Sequence, residues 1–218
     1  MLRFARNDVG PVDFRIYLIS DRKIIPRSSF WKRLEAILKV GLPAFQLREK
    51  DLCDKELYAI ARSARALTKR HGCKLLINGR WDIAKAVGAD GVHLPEDSLP
   101  LPVVRREMGK RAILGKSTHS LKAAQRALKE GADYISFGPI FDTPSKRAFG
   151  QPLGLNALQA VCAEISIPVF ALGGIKLENA SRTMNQGAWG IALISGIWKA
   201  KNPSLATSKF LQKTGKRG

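Results

Sequence analysis

Apolar runs of membrane-spanning length are absent from this 218-residue sequence, and a span needs roughly 18 or more such residues. The first residues, MLRFARNDVGPVDF, lack an apolar core followed by a cleavage site, so no secretory signal is expected and a cytoplasmic location is. Cysteine is scarce. Cys53, Cys73 and Cys162 are scattered without CxxC spacing or a nearby histidine cluster, which excludes a sulfur-based metal site and fits reduced, small apolar side chains. There is no Gly-x-Gly-x-x-Gly after the first apolar run, where Ser20-Asp21-Arg22 stands instead, and this argues against a dinucleotide-binding open sheet.

Acidic residues are also in short supply, 18 against 37 Lys and Arg, for a net charge of +19. The excess is spread out: Arg105, Arg106, Lys110, Arg111 and Lys116 around one helix and strand, Lys122, Arg126 and Lys129 around the next helix, and a basic tail from Lys199 to Gly218. Without an RNA-binding aromatic signature or a recognition helix, this reads as a solvated basic surface, with no specific nucleic-acid partner and no membrane partner.

What is present is a repeating pattern. Eight short, β-branched runs alternate with longer amphipathic segments: Arg15–Ile19, Ala44–Leu47, Lys74–Asn78, Gly91–Leu94, Ala112–Gly115, Tyr134–Phe137, Pro168–Leu172 and Gly190–Ile194. Between them, Lys55–Arg70 places Leu57, Ile60, Ala61, Ala64 and Leu67 on one helical face. Ser28 or Ser29, Asp54, Ser120, Asn156 and Glu178 mark helix starts, and a last helix spans roughly Ser204–Lys213. Gly-Ala-Asp at 88–90 and 131–133, and Gly187-Ala188, each end a helix and lead straight into a strand. The expectation is one domain over residues 1–218, a parallel eight-stranded (β/α)8 TIM barrel.

In such a barrel, function collects where the strands end. After the seventh and eighth strands stand Gly173-Gly174 and Ile194-Ser195-Gly196, whose backbone N–H groups suit a phosphate. Gln46, Arg48 and Lys50 alternate on one strand face, and with Lys146 opposite they suit a pyrophosphate or carboxylate, although a salt bridge from Arg48 to Glu49 accounts for the pattern equally. Of the histidines, His71 ends a helix, His93 lies within a strand where packing alone explains it, and His119 follows the fifth strand, placed for proton transfer.

Gln46-Leu47-Arg48-Glu49-Lys50, Ile77-Asn78-Gly79-Arg80, Val92-His93-Leu94, Ser117-Thr118-His119-Ser120, Phe137-Gly138-Pro139, Gly173-Gly174-Ile175 and Ser195-Gly196 together resemble the thiamine phosphate synthase/TenI superfamily, from about Ile16 to Ile197. The resemblance implies a barrel, usually a homodimer, in the thiamine pathway. Its synthase branch joins hydroxymethylpyrimidine pyrophosphate to thiazole phosphate with Mg2+; its tautomerase branch aromatises thiazole carboxylate phosphate without metal. Gln46, Arg48, Lys50, Asn78, Ser117, Thr143, Ser145 and Lys146 match the synthase's substrate-holding positions. The synthase's two metal aspartates correspond to Gly79 and Ser98, with Asp97 one place off. Asn78-Gly79-Arg80, Leu94-Pro95 and Ser117-Thr118-His119-Ser120 match the tautomerase pattern.

The leading expectation is therefore a metal-independent thiazole tautomerase. In that reading a phosphorylated thiazole is held on the glycines and Ser195, Arg48 or Lys50 lies near its carboxylate, and His119 moves the proton. A synthase with metal ligation displaced to Asp97 or Glu96, which would need Mg2+, is the alternative, and a catalytically silent ligand-binding barrel the third.

Overall fold

The computed structural model describes residues 11–143 and 150–215. The chain runs β1 (Ile16–Ile19), α1 (Phe30–Lys39), β2 (Ala44–Leu47), α2 (Asp54–Arg70), β3 (Lys74–Asn78), α3 (Trp81–Ala86), β4 (Gly91–Leu94), α4 (Leu101–Met108) and β5 (Ile113–Thr118). It continues through α5 (Leu121–Lys129), β6 (Tyr134–Phe137), α6 (Gly154–Glu164), β7 (Val169–Leu172), α7 (Leu177–Met184), β8 (Gly190–Leu193), α8 (Ser195–Trp198) and α9 (Pro203–Gly215). The eight strands are parallel and close on themselves in sequence order. β8 pairs with β1 through Ile16 opposite Ile191 and Leu18 opposite Leu193. The expected barrel is the observed one.

Strand alternation divides the buried side chains into two sets. Leu18, Phe45, Ile77, Val92, Leu114 and Ile191 face the helices and form the larger core. Tyr17, Ala44, Leu76, Ile113, Tyr134, Phe170 and Ala192 face inward, with Phe14 below them. The rings of Tyr17 and Phe170 meet edge-on with centroids 5.1 Å apart, and Tyr134 packs on Phe170 at 5.3 Å, the geometry their quadrupoles favour. So many rings need a small neighbour: a Cβ on Gly115 would lie 2.1 Å from the Tyr134 ring. This floor leaves the ends of the strands as the open part of the interior.

The Gly-Ala-Asp phrases do more than stop helices. Gly88 and Gly131 adopt left-handed backbone, φ 63° and 85°, which glycine adopts without penalty. The aspartate that follows then reaches sideways. Asp90 Oδ2 accepts from the Leu75 N–H at 2.8 Å and from Arg65 at 2.7 Å. Asp133 Oδ2 accepts from the Leu114 N–H at 2.7 Å and from Arg105 at 2.7 Å. Each caps a neighbouring strand and ties it to a helix.

Some boundaries differ from expectation. β5 begins one residue later than expected and continues to Thr118, so Ser117 belongs to the strand itself. β1 starts at Ile16, β7 at Val169, and β8 stops at Leu193. Ser120 does cap α5, accepting from the Ala123 N–H at 3.1 Å. α6 starts at Gly154, which places Asn156 inside the helix, and α2 is capped by Cys53 with Asp54 as its first residue.

Candidate active site at the C-terminal ends of the strands

Inward positions at the strand ends carry polar groups. Gln46 on β2 is 1% exposed and its Nε2 has no hydrogen-bond partner, so an unmet donor lies at the floor of the mouth. Arg48, two residues on and half-buried, makes no ion pair among the described residues. The alternative reading, a salt bridge from Arg48 to Glu49, is not formed. Glu49 points the other way: its Oε1 accepts from the Ser20 hydroxyl at 2.6 Å and its Oε2 pairs with Arg22 at 3.1 Å. The Ser20 oxygen in turn accepts from the Arg48 N–H at 2.8 Å. The first two strand ends are thereby locked together, and Arg48 is left to face the mouth. Burial pushes the Glu49 carboxyl above its ordinary range, against the opposing pull of Ser20 and Arg22.

His93 is the hub of the polar layer. It is 3% exposed. Its Nδ1 lies 2.9 Å from the Tyr134 hydroxyl, and its Nε2 2.9 Å from Ser117 Oγ and 3.3 Å from Ser136 Oγ. Burial first, then the Arg48 and Lys116 charges, take its pKa down to about 3. A neutral imidazole therefore holds the Ser117 hydroxyl in place, a role that packing alone did not suggest.

Asn78 ends β3 half-buried, opposite His93 in the register. It lines a cavity of about 370 Å3 with Gly79, Arg80, Lys50, Glu49 and Leu57. Lys50 is exposed on the rim. Arg80 is engaged elsewhere, bound to Asp82 by two hydrogen bonds of 2.9 and 2.6 Å and paired with Asp54. A larger cavity, about 610 Å3, lies at the opposite end between Lys74, Lys85, Asp90 and Arg111, away from these groups.

The side of the mouth at β7 and β8 is built from backbone. Gly173 and Gly174 follow β7 with φ 96° and 66°. A Cβ on Gly173 would lie 2.6 Å from Pro139, and one on Gly174 2.6 Å from Phe141, so both positions require glycine. Ile194 leads into α8, whose first residues are Ser195 and Gly196. Among the described residues, nothing accepts from the N–H groups of Gly173, Gly174, Ser195 or Gly196. Four donors at adjacent strand ends thus remain available. The Trp198 indole anchors α8 by donating to the Ile19 carbonyl at 2.8 Å.

His119 is exposed, beyond the end of β5, and its Nδ1 hydrogen-bonds to the Gly138 carbonyl. Because that partner only accepts, Nδ1 carries the proton and Nε2 is the basic nitrogen. Thr143 is half-buried in the loop after β6. Ser145 and Lys146 lie outside the described residues.

The donors at the metal positions do not fit Mg2+. Gly79 brings no side chain, and the Ser98 hydroxyl accepts from the Lys116 ammonium at 2.9 Å. Glu96 pairs with Arg126 at 3.9 Å, and Asp97 is exposed. The displaced-ligand expectation thus finds one carboxylate engaged and the other turned to solvent.

The site is a closed (β/α)8 barrel whose strand ends carry a polar floor, an arginine without an ion pair among the described residues, and unbonded backbone N–H groups. The chain belongs to the TMP-TENI family, described as thiamine monophosphate synthase, whose profile matches residues 16–197; these are enzymes of thiamine biosynthesis. A protein of Aquifex aeolicus, provisionally named thiamine-phosphate synthase 2, is 52% identical over 181 residues, 83% of this chain and 96% of its own. The thiamine-phosphate synthase of Halalkalibacterium halodurans is 42% identical over 190 residues, 87% of this chain and 90% of its own. The solved thiamine phosphate pyrophosphorylase from Pyrococcus furiosus superposes with a TM-score of 0.83 at 33% identity, covering 92% of this chain and 95% of that one. These relatives carry synthase names, and the tautomerase expectation finds no support in them. No helix of the described residues is long and apolar enough to cross a membrane.

Proposed function

We propose that this protein is a thiamine phosphate synthase, joining hydroxymethylpyrimidine pyrophosphate to thiazole phosphate. The thiazole nitrogen forms a bond to the pyrimidine methylene carbon, the bond from that carbon to oxygen breaks, and pyrophosphate leaves with the electron pair. The observation that carries the reading is that unbonded backbone N–H groups stand at the ends of β7 and β8 while Arg48, without an ion pair among the described residues, stands at the end of β2. The free N–H groups of Gly173, Gly174, Ser195 and Gly196 suit the thiazole phosphate. On the other side, Arg48, Lys50 and Ser117 suit the pyrophosphate; Ser145 and Lys146, matched by sequence alone, lie outside the described residues. Gln46 Nε2 and Asn78 are then the donors for the pyrimidine ring. The names of the relatives support the same assignment. Because Gly79 and Ser98 do not fit a metal, leaving-group charge in this reading falls to Arg48 and Lys50.

A second reading, the thiazole tautomerase, is favoured by those same two positions and by His119, whose Nε2 is the basic ring nitrogen at the rim. The deciding experiment is to mix the purified protein with both synthase substrates and follow thiamine phosphate and pyrophosphate. Equal release of the two is expected. No product at enzyme concentrations comparable to substrate overturns the synthase assignment. Isomerisation of thiazole carboxylate phosphate, lost in His119→Gln, would then establish the tautomerase.

A further inference from the structure

The chain that leaves β2 reads Arg48-Glu49-Lys50-Asp51, two cations and two acids in alternation. Taken alone such a stretch is neutral, and each acid favours the cation beside it. The fold separates them. Arg22, in the loop after β1, has a side chain only 10% exposed and meets both acids: its Nε lies 3.1 Å from Glu49 Oε2 and its Nη2 3.9 Å from Asp51 Oδ1. Neither nitrogen has a hydrogen-bond partner, so the hold is Coulombic, and a guanidinium this deeply buried needs carboxylates near it. Lys23 adds a contact to Asp51 at 3.8 Å from an exposed position, and the Ser20 hydroxyl fixes Glu49 further. On the other flank of β2, Arg80 in the loop after β3 pairs with both Asp54 and Asp82. The strand order β1-β2-β3 therefore sets one acid-collecting arginine on each side of the β2 end. Between them, Arg48 and Lys50 make no ion pair among the described residues.

We propose that Arg22 and Arg80 are positioning residues that sequester the acids around the end of β2, so that Arg48 and Lys50 offer uncompensated charge to an anion; the proposal rests on the pyrophosphate assignment above. Neither arginine contacts the ligand in this scheme. Without Arg22, Glu49 and Asp51 turn to the nearest cations, Arg48 and Lys50, and the bridge that adjacency suggests is formed. The β2 side of the mouth is then neutral instead of doubly positive. Arginine suits the task because its broad, planar charge reaches two carboxylates at once, where the compact ammonium of a lysine acts as a single point.

The test is binding of inorganic pyrophosphate to the full chain, measured by calorimetry at low salt, where surface charges are least screened. Arg22→Met is expected to weaken binding by about tenfold. Adding Glu49→Gln and Asp51→Asn to Arg22→Met is expected to restore it to within about threefold of wild type. Neither a direct ligand contact from Arg22 nor a purely structural role predicts that rescue, so a triple variant as weak as Arg22→Met overturns the proposal. A folded Arg22→Met protein that binds like wild type does the same. Should Arg22→Met not fold, Arg80→Met decides in its place, with Asp54→Asn and Asp82→Asn as the restoring changes; its acids are more exposed, and the expected loss is about threefold. Failure of the ligand assignment shows separately, as wild-type protein that binds no pyrophosphate. In that case solvent exchange of the Arg48 Nε–H, followed by NMR without any ligand, decides the proposal. Exchange is expected to slow in Arg22→Met, as Arg48 becomes paired, and to recover in the triple variant; exchange unaltered by Arg22→Met overturns it.

Discussion

The Nε2 of His93 lies 2.9 Å from the hydroxyl of Ser117, and this contact joins the buried floor of the barrel to the mouth above it. The ring is fully enclosed and its other nitrogen meets the Tyr134 hydroxyl, so it has no anionic partner to stabilise a proton. The folded protein protonates it only near pH 3, the unfolded chain near 6.5. Between those values the unfolded state holds more protons, so stability falls as the pH is lowered. Urea denaturation is expected to show a loss of about 2 kcal/mol from pH 6.5 to 5 attributable to this group. His93→Gln, less stable at pH 7, should lack that component; an unchanged pH slope would mean that His93 is not the group responsible.

Glycine at position 174 is required by both backbone and space. With φ 66° and a prospective Cβ 2.6 Å from Phe141 and 2.9 Å from the Asp142 carbonyl, Gly174→Ala is expected to cost about 1–3 kcal/mol of stability. It should also weaken binding of inorganic phosphate, measured by calorimetry. A variant as stable as wild type with unaltered phosphate affinity would remove this turn from the anion grip.

Arg48 faces the mouth without an ion-pair partner among the described residues. Replacing it should therefore cost little stability while removing a charge-assisted contact to the ligand, worth about 1.5–3 kcal/mol or roughly 10–150-fold in affinity. Arg48→Gln is expected to leave the melting temperature nearly unchanged and to weaken inorganic pyrophosphate binding by that factor. Lost stability with intact binding would reverse the assignment.

Ser20 is the opposite case. It is fully buried and bonded both to Glu49 and to the Arg48 N–H, so Ser20→Ala leaves two buried groups unmet. A loss of about 1–3 kcal/mol in chemical denaturation is expected, together with reduced affinity because Arg48 is no longer held in register. Neither effect appearing would show that the strand ends are fixed by other contacts.

The barrel was legible because its signals are local and repeated: apolar runs of strand length, amphipathic segments between them, and glycine where each helix must stop. Gly173 and Gly174 were legible for the same reason, since their left-handed backbone excludes most other residues. What escaped was decided by pairs distant in sequence. Glu49 is adjacent to Arg48, yet just past β2 it is taken by Ser20 and Arg22 of the neighbouring strand end, so the salt bridge read from adjacency does not form. Lys116 looked like one more surface charge, because nothing near it in sequence shows that Ser98 awaits it. His93 looked like packing because Tyr134 and Ser117 become its partners only when β4, β5 and β6 lie side by side.

Trp198 links the turn after β8 to the first strand. Its indole reaches from α8 to the Ile19 carbonyl at the end of β1, and Arg33 of α1 donates to the Trp198 carbonyl at 3.1 Å. The proposed phosphate site is therefore completed where the last strand meets the first. A chain cut between β8 and Trp198 would keep all eight strands and lose the tether from α8 to the end of β1.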